Sequence, residues 1–82
     1  MDVLEFRKFL KQHRDKVTKK YGEYLQAEEN LTMQSKITQN GLIDKKTIEK
    51  VSTKKREWQL AVNAYNDFFL YGLENGLFFN QN

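Results

Sequence analysis

His13 is the only histidine of the 82 residues, and the chain has no cysteine. It is therefore the one side chain with an ordinary pKa near neutrality, the first place to look for proton transfer. It stands between Leu10 and Val17 at helical spacing, with no carboxylate three or four residues away on that face. This is the setting of a partly buried seam histidine, without the orienting partner that acid–base work needs. No Ser/His/Asp or Cys/His arrangement and no glycine-rich phosphate loop occurs. Glu28 and Glu29 are adjacent, so a helix points them about 100° apart, which suits neither a metal nor a carboxylate pair. The expectation is a non-enzyme with no catalytic, cofactor or metal site and no small-molecule substrate.

The basic residues are the second candidate. Residues 1–20 carry net +4, 21–44 net −3, 45–56 net +5 and 57–82 net −3, which leaves +3 overall. Lys46, Lys50 and Lys54 form one row on a helix, joined by Lys45, Lys55 and Arg56, and a second cluster lies within residues 7–20, from Arg7 to Lys20. Such a row could track a phosphate backbone. It is equally what a solvated lysine-rich helix face looks like. Residues 41–51, from Gly41 to Val51, resemble the turn and recognition helix of a helix-turn-helix motif. Ile48 and Val51 sit one residue too far from Gly41 for that motif, Ile37 stands where a small residue is usual, and the second helix is far longer than a recognition helix.

The third candidate is a surface for protein partners. Residues 58–79 hold Trp58, Leu60, Ala61, Val62, Ala64, Tyr65, Phe68, Phe69, Leu70, Tyr71, Leu73, Leu77, Phe78 and Phe79. A helix apolar nearly all round must be covered nearly all round. Phe6, Phe9, Leu10, Trp58, Tyr65, Phe68, Phe69, Leu73, Leu77, Phe78 and Phe79 are the residues expected to meet a partner or a second copy. Asn63, Asn66, Asp67 and Glu74 within the segment make membrane insertion costly.

The elements that must position these groups are helical. Proline is absent, which permits long uninterrupted helices. Val3, Phe6, Leu10, His13, Val17, Tyr21, Tyr24, Glu28 and Leu31 step by three and four, predicting a helix over about 2–38. Gly22 falls inside it without shifting the phase. Asn40-Gly41 is a turn dipeptide, and Asp44 stands where a helix N-cap belongs. Ile48, Val51, Lys55, Trp58, Val62, Tyr65, Phe69 and Gly72 predict a second helix over about 44–75, with Asn75-Gly76 as its stop. Gly72 and Gly76 mark that end, or let another helix approach closely. No internal repeat or low-complexity tract stands out.

Two long helices and a short turn give an all-α hairpin, one domain over 1–82, with residue i opposite roughly residue 83 − i. A chain this small buries only about 60% of its unfolded surface. Without disulfides or metals, oligomerisation to a four-helix bundle is the expected remedy. A break at Gly22 would instead give a three-helix bundle. The absence of cysteine and of a signal-like segment points to the cytoplasm. The leading expectation is a homodimer or a subunit docked on a larger protein, acting as adaptor, regulator, assembly factor or inhibitor. The second is a nucleic-acid-binding module using the two basic clusters.

Overall fold

The computed structural model describes residues 1–37 and 42–78. Within them the chain forms two helices, α1 (Val3–Ile37) and α2 (Lys45–Glu74), packed antiparallel, with no strand among the described residues. Phe79 and the Asn40-Gly41 dipeptide lie outside the described residues. α1 runs through Gly22 without a break, so the three-helix alternative does not form.

Local chemistry sets the helix ends. Asp2 caps α1: its carboxylate accepts the Glu5 N–H at 2.7 Å, which satisfies a donor that has no partner within the helix. Asp44 caps α2 by accepting the Lys46 N–H at 3.2 Å. α2 ends as the sequence predicts, at Asn75-Gly76. Gly76 takes φ 65°, the left-handed conformation, so that the Leu77 N–H reaches the Gly72 carbonyl at 2.9 Å and the Gly76 N–H that of Leu73 at 3.3 Å. That bond pattern reverses the chain. Phe78 is thereby folded back onto the hairpin, its ring 4.5 Å from Phe69 and 5.0 Å from Phe6.

The seam is a heptad seam rotated slightly from the expected one. Inward positions of α1 include Val17, Lys20, Tyr24, Ala27 and Leu31, with Tyr21 and Glu28 exposed; those of α2 include Thr47, Val51, Lys54, Trp58, Ala61, Tyr65, Phe68 and Gly72, with Ile48 and Lys55 exposed. Lys20 and Lys54 take inward places because each meets a carboxylate across the seam: Lys20 pairs with Glu57 and Lys54 with Glu23. The register also differs from the expected 83 − i. Phe6 lies on Gly72, Lys20 by Glu57, Glu23 by Lys54 and Gln34 by Asp44, so i faces roughly 78 − i. The Asp44 N–H donates to Gln34 Oε1 at 3.1 Å, which anchors the start of α2 at Gln34, deeper along α1 than a symmetric turn would place it.

The molecule is a rod. Its Cα extents are 66 × 14 × 13 Å and its radius of gyration 18.4 Å, where a compact domain of this length has about 12 Å. It exposes 6511 Å², against roughly 5200 Å² for a compact monomer of its mass. Only Phe6, Ala27 and Ala61 are buried apolar side chains among the described residues, and of these Phe6 alone is wholly buried.

Candidate interaction surface

An aromatic layer at the open end and an ionic layer midway organise the seam, and they decide what is left over for a partner. At the open end Phe6 is wholly buried. Its ring stacks on Phe68 at 4.9 Å, meets Phe78 edge-on at 5.0 Å and rests on the backbone of Gly72, where a Cβ would overlap Cζ, Cε1 and Cε2. His13 lies against the far part of the same layer, its ring 4.9 Å from Phe68. Phe6 thus belongs to the hairpin's own core and is not on its surface.

The middle layer is ionic. Lys54 Nζ donates to Glu23 Oε1 at 3.0 Å and stands 3.5 Å from Glu57 Oε2; Lys20 Nζ is 3.6 Å from Glu57 Oε1 and 3.8 Å from Glu23 Oε1. The four side chains remain 24–33% exposed, so their attraction is partly screened. The hydrogen bond from Lys54, with Lys20 nearby, holds the Glu23 carboxyl below its ordinary pKa. The same bond raises Lys54 above its own, the Glu23 and Glu57 charges adding to it. Beside this layer Trp58 stacks on Tyr24 at 5.5 Å and meets Tyr21 at 4.8 Å. The Tyr24 hydroxyl donates to Glu28, which raises the pKa of the phenol.

The middle layer also contains a repeat. Residues 16–27 and 50–61 align at a spacing of 34, with Lys16/Lys50, Val17/Val51, Lys20/Lys54, Glu23/Glu57 and Ala27/Ala61 identical and Tyr24 matched by Trp58. Burial matches position by position along the two stretches. Because the copies run antiparallel and pair reciprocally, Lys20 to Glu57 and Lys54 to Glu23, a local two-fold axis relates them. Two shallow grooves of about 260 and 270 Å³ follow the same axis. One is lined by Glu23, Gln26, Ala27, Asn30, Lys50 and Lys54, the other by their counterparts Glu57, Leu60, Ala61, Ala64, Lys16 and Lys20. The sequence reading passed over this repeat because the matched residues are mostly seam positions separated by unrelated outward ones. Aligning the two heptad seams, in place of the continuous strings, would have found it.

The expected interface residues divide accordingly. Leu10, Trp58, Tyr65, Phe68, Phe69, Leu77 and Phe78 are half-buried within the hairpin, while Phe9 and Leu73 are exposed. Residues outside that named set also stand out. Leu60 is 61% exposed and Leu70 52%, and Tyr21, Leu25 and Tyr71 join them; Met33, Ile37, Leu42 and Ile48 do so near the turn. Arg56, Leu60, Asn63, Asp67, Leu70 and Glu74 are all exposed. Each lies two residues on from a seam position, about 200° around the helix, so they form one row on the back of α2.

No family model, curated protein or solved structure matches this chain. The basic row behaves differently from its expectation. Lys54 is drawn into the seam by Glu23 and Glu57, which leaves Lys45, Lys46, Lys50, Lys55 and Arg56 as the exposed members, Lys45 standing 3.9 Å from Glu49. Among the described residues no group of three or more His, Asp or Glu side chains is placed to hold a metal ion. No described helix is long and apolar enough to cross a membrane.

Proposed function

We propose that the chain is a small, non-enzymatic protein–protein interaction module whose aromatic helix surface is covered by another protein chain. The occupant is a second copy, giving a four-helix assembly, or a larger protein. The observation that carries this reading is the surplus surface of α2. α1 covers one side of it, and Leu60, Leu70, Tyr71 and Leu73 stay exposed on the others. A marginal core, with three buried apolar side chains among the described residues, gains most from an added layer.

The test is solution mass by light scattering across a concentration series, since a rod elutes early and its elution volume overstates its mass. A dimer of the 9.8 kDa chain that dissociates on Leu70→Asp or Leu73→Asp supports the reading. A folded chain whose mass and binding neither substitution changes overturns it.

A second reading rests on charge. Lys16 and Lys50, exposed and related by the local two-fold axis, stand with Lys46, Lys55 and Arg56 among the basic residues open to a phosphate backbone. Nucleic-acid binding of this kind falls steeply with salt and weakens when Lys46 and Lys50 are neutralised. Affinity independent of salt, or none at low salt, removes it.

A further inference from the structure

The back of α2 carries a pattern that names its occupant. Its outward row reads Arg56, Leu60, Asn63, Asp67, Leu70, Glu74, with steps of four, three, four, three and four. This is the spacing of a coiled-coil seam, on the side of the helix turned away from the α1 seam, with Leu60 at its edge lining the groove beside Lys16 and Lys20 of α1. The row is also complementary to its own reverse. Its ends are opposite in charge, its two leucines are symmetrically placed, and its centre pairs an amide with a carboxylate. None of Arg56, Asp67 and Glu74 makes an ion pair within the hairpin among the described residues.

We infer that a second copy of this chain docks its own α2 antiparallel on this row, with residue j facing roughly residue 130 − j. Each contact then occurs twice about a two-fold axis level with Tyr65. Arg56 meets Glu74 of the other copy, Leu60 meets Leu70, and Asn63 meets Asp67. The overlap is about 27 Å long at 1.5 Å per residue. No like charges oppose one another in this register: Lys55 faces Asn75, Glu57 faces Leu73 and Lys54 faces Gly76. The parallel alternative would set Arg56 on Arg56, Asp67 on Asp67 and Glu74 on Glu74, each repulsive. α1 offers a useful contrast. The counterpart of Leu60 across the internal two-fold axis is Gln26, and that of Ala64 is Asn30, so the hairpin's own packing does not require apolar residues there.

This inference rests on the reading that another chain covers α2, and it specifies which chain, which face and which direction. The experiment measures self-association of the full chain by light scattering or sedimentation equilibrium, with R56E and E74R alone and mixed. Both positions are exposed and unpaired in the hairpin, so helicity by circular dichroism stays native. Each variant alone places like charges at both ends of the interface. Its dimer dissociation constant is expected to rise at least about tenfold. An equimolar mixture restores association, because the mixed dimer has opposite charges at both ends. A native dimer indifferent to both variants overturns the inference and leaves the broader reading standing on another face. Weakening without rescue in the mixture overturns the antiparallel register. A native chain that stays monomeric throughout overturns the self-docking inference, and the broader reading then stands or falls on a heterologous partner lost on Leu73→Asp.

Discussion

Replacing a helical glycine by alanine should act in opposite directions at Gly22 and Gly72. On propensity alone each change stabilises a helix interior by about 1 kcal/mol. At Gly22 no atom lies within 4 Å of the added Cβ, so the full gain is expected. At Gly72 the new methyl overlaps the Phe6 ring. That ring cannot swing aside. It is 0% exposed and held between Phe68 at 4.9 Å and Phe78 at 5.0 Å. Overpacking of this kind costs about 1–3 kcal/mol, so after the propensity gain Gly72→Ala is destabilising by up to about 2 kcal/mol. Urea unfolding followed by circular dichroism at one fixed protein concentration measures both. A double variant, Gly72→Ala with Phe6→Ala, separates the causes: with the ring removed, the alanine should become favourable relative to Phe6→Ala alone. If Gly72→Ala stabilises as much as Gly22→Ala, the close approach of Phe6 to the α2 backbone is wrong, and with it the register at the open end.

Other outcomes follow from the remaining layers. Phe6→Ala should cost about 3–5 kcal/mol, read as a large fall in the urea midpoint. Asp44→Ala removes the α2 cap and should cost about 1 kcal/mol, read as a lower urea midpoint with an unchanged slope. The Glu23 carboxyl is held below its ordinary 4.5 by the Lys54 hydrogen bond. The stability it contributes is therefore present above 4.5 and lost as pH falls through the lower folded value. Glu23→Gln should flatten that acid-side decline in thermal melts, and an unchanged slope would show the pair to be fully screened. On the alkaline side Tyr24 and Lys54 are both raised. Their contributions persist below about 10 and fade as pH rises through the folded values, and Tyr24→Phe should remove its share.

Much of the hairpin could be read from residue order. The absence of proline, the Asp44 cap and the Asn75-Gly76 stop gave both helices within a residue or two of Val3–Ile37 and Lys45–Glu74, because each signal is local. The seam was harder. The three-and-four pattern runs the α2 seam through Lys55 and leaves Lys54 in the basic row, whereas the structure exposes Lys55 and seats Lys54. Lys54 and Lys20 lay their stems along the seam and reach Glu23 and Glu57 with their ammonium groups. The register was displaced for a related reason: the anchoring bond from Asp44 to Gln34 is a tertiary contact that no local spacing encodes. For the surface, an overall impression of an apolar α2 was sound, yet it mixed two faces. Phe6, Phe68 and Phe78 serve the hairpin, whereas Leu60 and Leu70 face away from it.

The local two-fold axis has a further meaning. In an antiparallel pair of identical helices every substitution is made twice, once on each side of the axis. Any residue chosen to attract a third body is duplicated where it is not wanted. Joining the two helices into one polypeptide lifts that constraint. Lys20, Glu23, Ala27 and their counterparts Lys54, Glu57 and Ala61 keep the shared seam, while the outward positions differ freely: Gln26 and Asn30 on one arm, Leu60 and Ala64 on the other. The hairpin is in this sense a linked dimer with broken symmetry. At these two matched places one arm is polar and the other apolar, a difference that a pair of identical helices could not hold.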